Sequence, residues 1–578
     1  MRQRLEHYLE RNRMRLSRAD ALGPLAVIGL LSGLLSGAVI VAFRLLVEDS
    51  QTWITSGTHP EEFENLDAWT RFFLPLAGGV ILALLFRFAG RGQTTLGVAN
   101  VMERMAYHQG HLSLRGFLLQ FAGAATALVS GHSVGREGPH IYLGAAASSL
   151  FGQRLGVPNN TIRVLVGCGT AAGIAASFNT PLAGVVFALE VVMLEYTVSS
   201  FVPIMLAAAG ATVLSNAVLG AEPVFAVPAL SLAALDEIPL VIALGLAAGA
   251  VSALFIETLK QVSHWGRRIA IERRLVLAGL LMGIAAAALP EVMGTGYDTV
   301  NAAIGGQLTV GFLLLLVVAK MFATSATVGL GVPGGTIGPA LVIGACLGAA
   351  TGLIADWTLP ELKTHVGFFA LIGMAAVMAG SLQAPLAAIT ALLELTHAPG
   401  LIMPAMVAVV IANLTASELF HKESLFITLL RSSGLSYDAN PVAQALRRMG
   451  VGSIMERDIA IADTHLSRRE AERIALAEPA WVLISNDGSP HEMFPGQHLA
   501  RFMAMSSGDD TSRVELNAVP AERMRLQGID LRATLQEALE LLEGEDCDAL
   551  YVYRRTGSGH GRVMGVVTLR MVESAYRV

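Results

Sequence analysis

The chain writes one glycine-broken apolar unit twice, and that repetition limits what it can build. The first copy carries Gly135-Arg136-Glu137-Gly138-Pro139, and the second carries Gly334-Gly335-Thr336-Ile337-Gly338-Pro339. Each leads into a long apolar stretch. Asn179-Thr180-Pro181-Leu182-Ala183-Gly184 follows the first, with Glu190 nine residues past its proline. Gln383-Ala384-Pro385-Leu386-Ala387-Ala388 follows the second, with Glu394 nine residues past its proline. Gly169 and Gly373 each open a Gly-x-Ala-Ala run twelve residues before those prolines. A duplicated unit of this kind builds a site where its two halves meet. Glycine-rich helix starts expose bare N–H groups and the positive end of the helix dipole, which suits an anion.

With 53% hydrophobic and 15% charged residues and a mean hydropathy of +0.57, the chain reads as a polytopic membrane protein. A spanning helix needs about 20 apolar residues. Residues 22–47, 72–90, 116–130, 161–176, 200–219, 237–262, 273–289, 309–328 and 399–419 qualify as candidates. The segments 137–151, 181–196, 337–355, 366–380 and 385–396 look too short or too glycine-broken to span alone. Such pieces are tolerated at membrane depth only inside protein or along a cavity, which favours a permeation protein over a receptor. Cys168, Cys346 and Cys547 have no ligand-like spacing, so neither a disulfide framework nor a metal site is expected. No cofactor and no nucleic-acid partner is expected either. Residues 1–20 read as a basic amphipathic helix, and basic flanks stay in the cytoplasm. No cleavable signal peptide is read there.

The composition changes near Ser432, and from about residue 440 to 578 the chain is charged and mixed. Residues 447–505 and 521–578 look like two related α/β units. In the second, a helix starts within Leu531–Leu539, a strand covers Ala549–Tyr553, and another begins at Arg562 and runs into a closing helix. These units resemble cystathionine-β-synthase (CBS) domains, which pair and often sense adenine nucleotides. The family pattern has Gly-x-x-Thr followed three residues on by a ribose-binding Asp. Gly565 and Thr568 fit it, but Met571 holds the Asp position. A dimerising, regulatory scaffold with weak nucleotide binding is therefore expected of the tail.

The two glycine-rich segments and the paired Pro-Leu-Ala segments resemble the CLC family of chloride channels and chloride/proton exchangers, over roughly residues 20–431. The resemblance implies an all-α polytopic membrane domain with an internal inverted repeat (residues 21–432, halves 21–220 and 237–432). It also implies a homodimer in the lipid bilayer with one pore per subunit. The expected whole is that domain plus a C-terminal cytoplasmic α/β CBS-like pair, in a bacterial inner membrane with both termini cytoplasmic.

A carboxylate at membrane depth costs roughly 2.5–3.5 kcal/mol on insertion scales, so Glu137 is a functional candidate by default. A carboxylate and a chloride compete for the same N–H groups at a helix start. In the family this position is the gating glutamate. Arg136 either raises the local positive potential or anchors the loop. The anion site implied by the resemblance comprises Arg136, Glu137 and Gly138 from the first segment and Thr336, Ile337 and Gly338 from the second, with the N–H groups of Thr336 and Ile337 as donors.

Three positions depart from the family pattern. Leu96 stands where the family's filter loop has a serine, with Thr94 and Thr95 as neighbours. Phe426 stands where the family has a tyrosine that closes the central site. Val191 stands where exchangers carry a second, proton-relaying glutamate, with Glu195 one turn along. Valine holds no proton, so the expectation is chloride-type permeation through a glutamate-gated channel without proton coupling. A chloride/proton antiporter is the alternative, and a transporter gated by its CBS-like tail for another anion a third. Gly131-His132-Ser133-Val134-Gly135 also matches the Gly-x-Ser-x-Gly hydrolase motif, but its membrane-helix context makes a serine hydrolase at Ser133 the outlying reading.

Overall fold

The computed structural model describes residues 16–17, 21–55, 57, 60–90, 96–221, 225, 235–362, 364–435, 441–486, 489–506, 513–544, 546–554 and 561–576. The helix expected over residues 1–20 lies outside them except at Leu16 and Ser17. The chain forms two compact units. One holds Leu25–Leu155 and Ile162–Asp438, the other Met1–Pro24, Gly156–Thr161 and Ala439–Val578.

The larger unit is all-α. Its first half comprises α1 (Leu22–Thr55), α2 (Ala68–Ala89), α3 (Val98–Tyr107), α4 (Leu114–Val129), α5 (Glu137–Leu155), α6 (Asn159–Phe178), α7 (Pro181–Met193) and α8 (Val198–Leu219). The second half repeats that order with α9 (Ile238–Gly266), α10 (Ile271–Ala288), α11 (Tyr297–Ile304), α12 (Val310–Gly329), α13 (Ile337–Thr358), α14 (Val366–Leu382), α15 (Pro385–Thr396) and α16 (Ile402–Leu414). A short α17 (Leu425–Ser432) follows. The unit is a polytopic membrane body built on an inverted repeat. Equivalent helices meet across it: α2 packs on α10, and α7 on α15.

Among the described residues, eight helices are long and apolar enough to cross a membrane. The predicted spans at 116–130 and 273–289 are not among them. The helix α4 has only 16 residues, and α10 opens on Glu272-Arg273-Arg274, which shortens its apolar run. The segment at 337–355 goes the other way, because α13 runs unbroken for 22 residues and is one of the eight. Its glycines do not break it. They admit the backbone of α14, which packs along its length, so 83% of its most apolar window is buried in protein.

The helices α7 and α15 start on Pro181 and Pro385, which suits a first helical turn because proline lacks an N–H. Glutamates from opposite halves satisfy the free N–H groups that remain. The Glu394 carboxylate accepts from Leu182 N at 2.9 Å and Ala183 N at 2.7 Å. The Glu190 carboxylate accepts from Leu386 N at 3.1 Å and Ala387 N at 2.7 Å. Each half thus caps the other.

The smaller unit carries a six-stranded sheet in the order β1-β3-β4-β6-β7-β8. The strands are β1 (Ile459–Asp463), β3 (Trp481–Asn486), β4 (Ser489–Pro495), β6 (Met524–Asp530), β7 (Ala549–Arg554) and β8 (Arg562–Thr568). A further pair, β2 (His465–Ser467) and β5 (Arg513–Glu515), forms a small antiparallel ladder. Parallel β1–β3 with antiparallel β3–β4 is matched by parallel β6–β7 with antiparallel β7–β8. The tail is therefore the α/β CBS-like pair that the sequence suggests. Its Leu535–Leu542 helix is set by a capping box between Thr534 and Glu537. At the closing helix, Leu569–Tyr576, Thr568 N donates to Met571 Sδ at 3.4 Å.

Because the two caps share one geometry, Glu190→Ala and Glu394→Ala should each cost about 1 kcal/mol of stability, the usual scale of a lost N-terminal cap. Thermal melts of the detergent-solubilised protein would check this. A cost confined to one of the two variants would show that the caps are not equivalent.

Candidate functional site

The two glycine-rich segments meet directly. Gly135 N donates to Gly335 O at 2.7 Å, and Gly335 N donates to Gly135 O at 2.7 Å. No side chain fits at this crossing. A Cβ on Gly335 would lie 2.6 Å from Gly138 N, and one on Gly138 would lie 2.7 Å from Gly335 Cα. The crossing sets the starts of α5 and α13 against each other.

Glu137, the first residue of α5, is fully buried. Its side chain does not stay on its own helix. Oε2 accepts from Gly338 N at 3.0 Å, in the first turn of α13. Oε1 accepts from the Tyr297 hydroxyl. A carboxylate from the first half therefore sits on the N-terminus of a helix from the second, where the dipole and free N–H groups favour negative charge. Glu137, Gly138, Thr336, Ile337 and Gly338 lie together at this crossing.

Sequence reasoning missed Tyr297. The one signal for it was Gly294-Thr295-Gly296-Tyr297, a glycine pair ahead of a short helix, with Gly296 in the left-handed region at φ 81°. It missed Lys320 too. This fully buried residue donates from Nζ to the carbonyls of Val292 at 3.1 Å, Met293 at 3.3 Å and Gly294 at 2.9 Å. The ammonium thus pins the loop that delivers Tyr297.

Two cavities flank Glu137 and its helix starts. One, of about 330 Å³, is lined by Arg44, Glu48, Glu61, Arg136, Tyr297 and Asp298 among others. Glu48 Oε1 takes hydrogen bonds from Arg44 Nε and Arg136 Nη1, each at 3.1 Å. The Arg136 guanidinium also lies 5.2 Å from the centre of the Tyr297 ring. Arg136 is thus both anchored and part of the cavity wall. Burial pushes the Glu61 carboxyl up, against its hydrogen bond from Thr295 and the charge of Arg136.

The other cavity, of about 400 Å³, is lined by Leu96, Gly97, Gly138, Thr336, Ile337 and Phe426 among others. Leu96 and Phe426 therefore face one space, although 330 residues separate them in sequence. The Phe426 ring packs edge-on against Phe187, with centroids 6.3 Å apart. Gly97 N donates to Gln120 Oε1 at 3.1 Å, which fixes the start of α3. Thr94 and Thr95 lie outside the described residues.

Val191 is buried in a wide helical turn at the end of α7, over Ala188–Met193. Glu195 follows that turn, and its carboxylate accepts from Ser200 Oγ at 3.2 Å. Between Glu137 and the α7–α15 pair lies a void of only about 20 Å³, lined by Phe178, Thr180, Phe187, Ile337, Leu341 and Met378 among others. It holds about one water at most. Ser133, the serine of the hydrolase-like motif, shares a 3.0 Å hydrogen bond with Thr324 Oγ1, while His132 Nδ1 bonds Ser130 Oγ at 2.9 Å. The motif follows a helix, not a strand.

Comparison with known proteins agrees with this geometry. The sequence pattern of the voltage gated chloride channel family matches residues 78–417. A putative ClcB-like chloride channel protein of Ralstonia nicotianae is 32% identical over 400 residues, covering 68% of this chain and 93% of its own. The H(+)/Cl(-) exchange transporter ClcA of Vibrio cholerae is 30% identical over 430 residues, covering 72% and 91%. A slow cyanobacterial Cl-/H+ antiporter superposes with a TM-score of 0.64 at 22% identity, over 71% of this chain and 97% of that one. A eukaryotic CLC transporter does so with a TM-score of 0.59 at 19% identity, over 94% and 97%. At those identities the structures speak to the fold alone.

Proposed function

The chain belongs to the CLC family of voltage-gated chloride channels, multi-pass membrane proteins of anion transport, and on that premise we propose that it is a glutamate-gated chloride channel without stoichiometric proton coupling. The observation that carries the gate is the Glu137 carboxylate on Gly338 N at the start of α13. While charged, that side chain occupies the donors an anion would use. Protonation weakens its hold, and a chloride takes its place. The Arg136 cavity admits the anion on one side, and the Thr336 and Ile337 N–H groups receive it on the other.

Absence of coupling rests on Val191 and on the void beyond Glu137. A proton relay needs titratable groups or a water file across the barrier. Here the relay position is apolar, and the intervening space holds about one water among mostly apolar side chains. Leu96 and Phe426 remove two hydroxyls from the central cavity, which favours weaker binding and faster passage. The second reading, a chloride/proton antiporter with Glu195 as the relay, draws support from the likeness to the H(+)/Cl(-) exchange transporter ClcA of Vibrio cholerae.

The working form in this proposal is a homodimer in a bacterial inner membrane with both termini cytoplasmic. The tail serves as a regulatory scaffold rather than a tight nucleotide receptor. Met571 already takes the Thr568 N–H through its sulfur and offers ribose no carboxylate.

Four outcomes are expected. In proteoliposomes with a chloride gradient, chloride moves without uphill proton pumping, and robust pumping would make this an exchanger. Glu137→Gln raises chloride flux at neutral pH and flattens its rise towards acid pH, since the neutral amide competes weakly for the N–H donors. Tyr297→Phe, which removes one of the two donors to the carboxylate, raises neutral-pH flux but keeps the acid response. Unchanged flux in Glu137→Gln would remove Glu137 from the pathway. Finally, calorimetric titration of the full chain in detergent with ATP and AMP should show no micromolar binding; such binding would place the ribose ligand on another residue.

A further inference from the structure

Leu96 and Phe426 leave the central cavity without the hydroxyl donors that the family usually places there, yet another hydroxyl-bearing residue, Thr336, lines this space. Thr336 is the N-cap residue of α13. An N-cap threonine ordinarily bonds an N–H of its own helix from an extended backbone conformation. Thr336 instead has φ −112° and ψ −7°, a helix-like conformation, and its side chain makes no capping bond. The residue is 2% exposed, and its Oγ1 has no hydrogen-bond partner among the described residues. Buried hydroxyls are almost always bonded, so one left unpaired beside a cavity calls for an explanation. Thr336 lines the 400 Å³ cavity together with Leu96, Ile337 and Phe426.

We propose that the Thr336 side-chain hydroxyl is a ligand of the transported anion. This rests on the anion-transport reading above and deepens it. The hydroxyl donates its proton to the anion while the first N–H groups of α13 donate theirs, so one residue contributes through both side chain and backbone. The donor has moved from the first half, where Leu96 now stands, to the second. The acceptor is a small anion that takes strong, directed hydrogen bonds, as chloride does. A large, weakly hydrated anion such as thiocyanate gains less from such a donor. Thr336 is thereby a specificity-determining residue that offsets part of what Leu96 and Phe426 remove.

The test measures chloride and thiocyanate binding to the full chain in detergent by calorimetry, with relative flux in proteoliposomes. Thr336→Val keeps the β-branched shape and deletes the hydroxyl. It should weaken chloride binding about tenfold or more, the scale of a hydrogen bond to a charged group, and thiocyanate binding much less. Thr336→Ser should bind chloride nearly as the wild type does. Leu96→Ser in the Thr336→Val background should recover part of the loss, because Leu96 lines the same cavity. If Thr336→Val fails to fold, Thr336→Ala serves as the hydroxyl deletion. Wild-type chloride binding with an unchanged hydroxyl-deleted variant overturns this assignment alone. A wild type that neither binds nor conducts chloride overturns the anion-transport reading, and this assignment with it.

Discussion

Two backbone hydrogen bonds hold the centre of this protein, from Gly135 N to Gly335 O and from Gly335 N to Gly135 O. They join the glycine-rich segments of the two inverted halves backbone to backbone. They require glycine, because a Cβ at Gly335 would meet the first turn of α5. Close approach sets the starts of α5 and α13 against each other, and so places the Glu137 carboxylate on the N-terminus of a helix from the other half. Without the crossing, Glu137 would lose the backbone donor of Gly338. With it, the acid and an anion can be exchanged on one set of N–H groups.

The same solution recurs elsewhere in the membrane body. Glu190 and Glu394 lie on the helix starts of opposite halves. Lys320 lies on three carbonyls of one loop. Arg136 and Arg44 share Glu48. Each charge meets backbone or an opposite charge because hydrocarbon offers it no water. These pairings also carry information about position. Lys320 fixes the loop that delivers Tyr297, and Tyr297 fixes Glu137, so a lysine in α12 helps to aim a carboxylate in α5.

Much of the site could be read in advance. The doubled segments marked the two helix starts, because glycine runs before proline have few other uses within an apolar chain. Glu190 and Glu394 stand at equal spacing from their prolines, and both carboxylates sit on helix starts of the opposite half. The tail's helix start within Leu531–Leu539 and its strands at Ala549 and Arg562 were read from the sequence, and the structure has them there. Tyr297 and Lys320 were not legible. Each is a single polar residue without a repeat partner, and its meaning depends on a contact across 160 residues for Tyr297 and across 28 for Lys320. The span at 337–355 was misjudged for a related reason. Glycines in α13 looked like breaks, but they admit the backbone of α14.

Sequence by itself determined that this chain is a membrane protein with two copies of an anion-suited helix start and a separate α/β tail. Hydropathy and glycine placement act within a few turns of chain, so they survive in one dimension. Tertiary structure decided which donors each buried group meets. It joined Glu137 to Gly338 and Tyr297, set Leu96 and Phe426 on one cavity, and left the Thr336 hydroxyl unpaired beside them. Those outcomes depend on how closely two backbones approach, and only the folded packing of both halves sets that distance.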